Sequence, residues 1–169
     1  PEPPVHENLN GYIVKAVQSR NLRWFSFFLH HYENRLNGRV RRFLLREGLD
    51  RYDPERFLDY KMGCVLAMLD CLREYNPTQG ADFLTYAHHF IGNALLTCRM
   101  QEEAGSFENV DEYKAVRGIA WLYNQSGQSE QAAIQKYAQK NGCTEETAAK
   151  FLALAKQNRS RVPFYQTIQ

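Results

Sequence analysis

Apolar side chains recur three, four and seven positions apart in one segment after another, and no stretch alternates cleanly between apolar and polar. That period belongs to helices burying one face, because a helix turns about 100° per residue and a strand about 180°. The clearest case is Leu58, Met62, Val65, Leu66, Leu69 and Leu72. It follows Asp53, Pro54 and Glu55, a start signal with Asp as cap and Pro at the first helical position. The pattern predicts a helix from Pro54 to about Tyr75 with these six residues on its buried side.

The same reading divides the rest of the chain. Residues 1–11 read as a frayed N-terminus, and a short helix over residues 12–18 carries Ile13, Val14, Ala16 and Val17. Asn21 is placed to cap a helix running from Leu22 to about Arg46, either unbroken or with a break at Asn37 and Gly38, and ended by Gly48. Its apolar set is Trp24, Phe27, Phe28, Leu29, Tyr32, Leu36, Val40, Phe43 and Leu44. Residues 76–80 (Asn-Pro-Thr-Gln-Gly) form a turn. A helix over residues 80–96 follows, ending near Gly105, and another runs from about Asn109 to Asn124 with Val116, Ile119, Ala120 and Leu122 apolar. After a polar linker at residues 124–128, Ser129 to Lys140 and a helix capped by Thr144 flank an Asn-Gly-Cys turn at 141–143, with Ala148, Phe151, Leu152 and Leu154 inward. Two short helices around a tight Gly-containing turn have the outline of a helix-turn-helix. The fold class is all-α, without strands or internal repeats, in two domains over residues 12–106 and 107–169.

Other classes of protein are set aside by what is missing. No run of eighteen apolar residues occurs, and Pro1, Glu2, Pro3 and Pro4 do not begin a signal peptide, so neither a membrane nor a secreted protein is expected. Cys64, Cys71, Cys98 and Cys143 form no C-x-x-C pair and fit reduced thiols of a cytoplasmic protein. The pairs His30/His31 and His88/His89 are helix neighbours pointing about 100° apart, so neither pair chelates a metal by itself. Motifs for phosphate loops, dinucleotide sites, zinc proteases and serine nucleophiles are absent. No enzyme, cofactor or metal is expected. The net charge of +2 hides a basic run (Arg35, Arg39, Arg41, Arg42, Arg46, Arg51, Arg56) and an acidic stretch at Glu102, Glu103, Glu108, Asp111 and Glu112. The basic run reads either as a solvated helix face or as a surface meeting phosphates or an acidic partner.

The helix over residues 80–96 carries more than packing requires. Phe83, Ala87, Phe90, Ile91, Ala94 and Cys98 fall on one stripe, which explains burial. Tyr86, His89 and Asn93 fall on a second stripe, with Asp82 and Leu96 beside it, and nothing in the packing pattern asks for them.

Residues 83–91, reading Phe-Leu-Thr-Tyr-Ala-His-His-Phe-Ile, resemble the Phe-Ser-Thr-Tyr-Ala-x-Trp-Trp-Ile of the bacterial RNA polymerase sigma factors of the sigma-70 family. Residues 12–25, 49–59 and 72–80 are similar to other parts of that family's second region, and residues 129–156 to the helix-turn-helix of its third. The resemblance covers residues 12–157; the family's fourth region has no counterpart here. It implies a helical bundle followed by a small helix-turn-helix-like domain. The implied function is transcription initiation, by binding core RNA polymerase and recognising and melting promoter DNA at the −10 element.

On this chain the matching DNA-binding positions are Phe83 and Tyr86, then His89 and Phe90 where the family has two Trp, with Asn93 where it has Gln. Phe83 also lies on the packing stripe. The helix that docks on the clamp of the largest polymerase subunit corresponds to Asp59, Met62 and Gly63, of which Asp59 alone keeps the family's residue. Arg39, Arg41, Arg42 and Arg46 are candidate phosphate contacts. Two departures remove positive charge: Asp82 stands where a basic residue is expected, and Gly92 where Arg is expected. The partners implied are core polymerase, partly single-stranded promoter DNA and an anti-sigma factor, with no membrane. The alternative is a sigma-derived DNA- or protein-binding regulator that no longer directs initiation.

Overall fold

The computed structural model describes residues 14, 16–20, 22–103, 106–127 and 129–158. The expectations for residues 1–13, the cap at Asn21 and the helix end at Gly105 lie outside them. Among the described residues every regular element is helical, and no helix is long and apolar enough to cross a membrane. Contacts divide the chain into two units, residues 1–45 with 50–95 and residues 46–49 with 96–169. The sequence pattern puts the division near 106; the contacts put it between Leu95 and Leu96, inside a helix.

In the first unit, α1 (Leu22–Arg46) runs for 25 residues without a break at Asn37 and Gly38. A helical glycine costs about 1 kcal/mol relative to alanine. Here buried Tyr32, Leu36, Val40 and Phe43 keep the inward face continuous across it, and that burial outweighs the local preference. Phe27 and Leu29, assigned to the apolar set, are only half-buried. The turn after α1 puts Gly48 at φ +70°, a left-handed conformation suited to glycine.

Next, α2 (Pro54–Leu72) starts as its sequence signals: the Asp53 carboxylate accepts from the N–H groups of Glu55 and Arg56. Its inward residues are Tyr60, Cys64, Val65, Met68, Cys71 and Leu72. Leu58, Met62 and Leu66, expected on the buried side, are instead 55%, 47% and 59% exposed. The buried stripe is rotated toward Tyr60, whose ring packs 5.9 Å from that of Phe43, and toward Cys64 and Met68. The Lys61 ammonium beside them reaches the Glu33 carboxylate on α1 at 2.9 Å.

The helix expected from residue 80 starts later and is divided. Asn76 accepts from the Thr78 N–H to set a turn at Pro77–Gln79, and Gly80 closes it at φ +83°. Then come α3 (Phe83–Tyr86) and α4 (His88–Glu102), joined at Ala87, through which backbone hydrogen bonds continue to Phe83 and from Ile91. Phe83, Ala87, Ile91 and Leu95 are buried. Leu95 was absent from the expected stripe, whereas Ala94 and Cys98 are half-buried.

In the second unit, α5 (Val110–Asn124) is capped by Asn109, which accepts from the Glu112 N–H. Ser129 caps α6 (Glu130–Asn141), and Gly142 at φ +65° turns the chain into α7 (Glu145–Asn158). The Thr144 hydroxyl accepts from the Thr147 N–H, as its position predicts. Ile119, Leu122, Ala133, Tyr137, Ala138, Ala148 and Leu152 form one core, and Tyr113, Val116, Ala120 and Ala155 a second. Phe151 and Leu154 are half-buried against them.

This unit also buries a charge cluster. Arg117 donates through both terminal nitrogens to the Glu47 carboxylate at 2.5 and 2.7 Å. The Tyr113 hydroxyl donates to Glu103 at 2.8 Å, and Arg99 pairs with Glu103 at 3.2 Å. Burial pushes the Glu103 carboxyl up, against the pull of the Tyr113 hydroxyl and of Arg99 and Arg117. The Arg117 guanidinium is held above its ordinary range: burial opposes its charge, and the Glu47 carboxylate and Tyr113 outweigh burial.

Candidate nucleic-acid interface

Phe83 is the foundation of the candidate site. It is fully buried, with its ring 4.7 Å from Phe28 and 5.3 Å from Tyr75 in edge-to-face contacts. A ring held on both sides in a core cannot also stack on a base, so its assignment as a DNA contact is corrected to a packing role. Tyr86, one turn on, rests half-buried against Tyr75 at 5.3 Å and Phe83 at 6.5 Å. Burial raises the pKa of its hydroxyl, and Cys71 and Glu74 act in the same direction. Tyr86 therefore does have a packing partner, contrary to the expectation from its stripe.

Phe90 continues this ring series outward. It sits 5.8 Å from Tyr86 and is 44% exposed. Its place on the inward stripe is thereby corrected; Ile91 and Leu95 take the inward side instead. His89 is exposed and Asn93 half-buried. Tyr86, His89, Phe90 and Asn93 stand at i, i+3, i+4 and i+7, which places them on one helix face. The result is an aromatic step, anchored at Tyr86 and open at Phe90, with an imidazole and an amide alongside.

The arginine run does not act as one surface. The Arg41 guanidinium lies 4.6 Å over the ring of Phe57, and Arg46 falls within the second unit. Arg39 donates to the carbonyl of His88 at 2.8 Å. Arg42 lies along α1 beside Gly38, where an added Cβ would come within 3.3 Å of its terminal nitrogen. Asp82, which in the sequence looked like an obstacle to phosphate, accepts from Arg35 at 2.6 Å and from the Tyr32 hydroxyl at 3.0 Å. Burial and the Asp82 acceptor both raise the Tyr32 hydroxyl, which keeps it a donor. A groove of about 860 Å³ lies here, lined by Arg35, Arg39, Arg42, Thr85, His88 and His89 among others.

The polymerase-facing candidates stand apart from this groove, on α2. Asp59 and Met62 are exposed and Gly63 half-buried, and the helix runs through Gly63 unbroken. Leu58 and Leu66 extend Met62 into a strip one turn apart at each step. Sequence reasoning missed that strip because its spacing is also that of a buried face.

Cys64 and Cys71 are buried, Cys98 and Cys143 half-buried, and none of the four forms a disulfide. Burial raises the Cys71 thiol to about 11. Among the described residues no group of three or more His, Cys, Asp or Glu is placed to hold a metal ion. Compared with known proteins, the chain matches no family model, no curated protein and no solved structure.

Proposed function

We propose that this chain is a sigma-70-like initiation factor that binds core RNA polymerase and captures unpaired bases of a promoter −10 element. The observation that carries the reading is the aromatic step on α3 and α4. Phe90 is 44% exposed one turn from a Tyr86 that is fixed in place by Tyr75 and Phe83. An exposed ring backed by an immobilised one suits stacking on a splayed base, worth about 1–3 kcal/mol per base and tolerant of base identity. His89 supplies a further flat, polar face. The Asn93 amide matches the donor–acceptor edge of adenine in a major groove.

The exposed strip of Leu58, Met62 and Leu66, with Asp59 beside it, supports docking on the polymerase clamp. Large apolar side chains one turn apart on a surface helix fit an apolar patch of the kind that takes part in interactions. The helix pair α6 and α7, with its left-handed turn at Gly142, supports an accompanying role in duplex binding. The proposed mechanism is binding and strand capture, with no bond made or broken by this chain.

The test is co-purification with core polymerase, followed by binding of the complex to a fork-junction DNA with a single-stranded non-template strand. Binding at both steps is expected, and Tyr86→Ala or His89→Ala should weaken strand capture by roughly 1–3 kcal/mol. Polymerase binding without strand capture would instead indicate a sigma-derived regulator. Failure at both steps would overturn the proposal.

A further inference from the structure

We infer that the cavity where residues 16–20 meet the end of α2 binds a small phosphate ester, with Arg20 and Arg73 holding the phosphate and Val17 and Leu69 packing against the organic part. The site lies within the first unit and does not depend on the base-capturing face.

The way two segments are joined builds the site. Residues 16–18 are helical, and the Arg20 N–H donates to the Val17 carbonyl at 2.8 Å, closing a tight turn. That turn holds Arg20 at φ +68°. Among the described residues it is the one non-glycine residue with a left-handed backbone. Glycine would suit the turn better, so the arginine is there for its side chain and not for the turn. Opposite it, α2 ends at Arg73, its C-cap. The Gln18 amide nitrogen lies 3.4, 3.4 and 3.5 Å from the carbonyls of Leu72, Arg73 and Tyr75. Bare carbonyls at a helix C-terminus carry partial negative charge and would repel an anion. The Gln18 amide covers them.

The lining of the cavity defines what it can hold. Its volume of about 570 Å³ suits a small molecule, and Val17, Gln18, Arg20, Leu69 and Arg73 line it. That described lining holds two guanidinium groups and no carboxylate. Neither guanidinium has an ion-pair or hydrogen-bond partner among the described residues. Two like charges lining one cavity repel each other, and an anion between them relieves the repulsion. One arginine fork is enough for a carboxylate, whereas a phosphate has terminal oxygens for two forks at once. Half-buried Val17 and Leu69 add an aliphatic wall that the organic part of an ester would cover and a bare ion would leave wet. The described lining has no aromatic ring on which a base would stack. That favours a small ester over a nucleic-acid strand as the occupant.

The test is calorimetric titration of the full chain with phenyl phosphate, with inorganic phosphate and benzoate as comparators. Phenyl phosphate should bind at one site per chain and more tightly than either comparator. Arg73→Gln should weaken it about tenfold. Arg20→Gly should weaken it as much while the melting temperature holds or rises, because glycine suits the left-handed turn. That variant keeps the test decisive if Arg73→Gln does not fold. Leu69→Ala should weaken phenyl phosphate and leave inorganic phosphate unchanged. The proposal is overturned if phenyl phosphate does not bind, or if its binding survives both arginine substitutions. Inorganic phosphate binding as tightly as the ester overturns the role of the apolar wall, and benzoate doing so overturns the choice of phosphate. A marked fall in the melting temperature of Arg20→Gly would make Arg20 a structural residue and overturn its assignment. If the unaltered chain ignores phenyl phosphate but both arginine variants lose binding to a single-stranded oligonucleotide, the arginines belong to a strand-binding surface and the small ester is overturned.

Discussion

Helix α5 buries Val116, Ile119, Ala120 and Leu122, whereas α2, with an apolar pattern just as regular, leaves Leu58, Met62 and Leu66 about half exposed. The two helices differ in what closes over them. In α5 one face is taken by the cores around Ile119 and Tyr113. In α2 the inward face is formed by Tyr60, Cys64, Met68 and Cys71, so three aliphatic residues are left over. Periodicity reports that a face is apolar; it does not report whether this chain or another molecule covers it. The second unit turns even charged groups inward, at Glu47, Arg99 and Glu103. The first keeps Arg35, Arg41 and Arg42 and part of its aromatic series at the surface.

The sharpest way to break this contrast is through the buried charges. Glu47→Ala removes the carboxylate facing Arg117 and Arg99, leaving buried guanidinium charge poorly compensated, and should cost about 3–5 kcal/mol. Urea unfolding followed by Trp121 fluorescence in a Trp24→Phe background reads that loss in the second unit alone. A cost under 1 kcal/mol would mean that water reaches the cluster.

A matched pair sharpens the contrast between the helices. Ile119→Ala should lose about 2–5 kcal/mol of stability by the same measurement, from transfer and cavity terms together. Leu66→Ala, at 59% exposure, should stay within about 0.5 kcal/mol, as surface substitutions do, when the first unit is followed by Trp24 fluorescence in a Trp121→Phe background. On the proposed reading Leu66→Ala should still weaken retention of core polymerase on an affinity column. Equal stability losses at the two positions would erase the distinction.

The smallest effect is expected at the ring step. Phe90→Ala should lower the melting temperature by no more than a degree or two, corresponding to roughly 0.5 kcal/mol, while reducing single-strand affinity. Phe83→Ala, by contrast, opens the core and should cost about 3–5 kcal/mol. A large stability loss at Phe90 would make it a core residue in solution and remove the exposed end of the step.

The elements themselves were largely legible in the sequence. Asp53 with Pro54, and Thr144, marked helix starts through the same hydrogen bonds that form, and the starts read at about Asn109 and Ser129 fall on residues whose side chains cap. Local chemistry decides such features, so a local reading finds them. The errors arose where distant residues decide. The exposure of Leu58 and Leu66 depends on which side of α2 meets Phe43. Asp82 read only as a missing basic residue; its bonds to Tyr32 and Arg35, about fifty positions earlier in the chain, are not visible locally. The late start of α3 is an intermediate case. The left-handed Gly80 was a readable turn signal, but the pull of Tyr32 and Arg35 on the Asp82 side chain, which caps no helix N–H, was not.

Residues 46–49 carry one more consequence, for anyone dividing this protein into pieces. They lie fifty positions before the rest of the second unit, yet they bring Glu47, the acid that holds Arg117 by two bonds. A fragment cut at Leu96 would keep both arginines and leave Glu103 as the remaining acid of the buried cluster. The second unit is therefore not a cassette that a single cut can release, nor one that a single recombination event could transplant with its charges balanced.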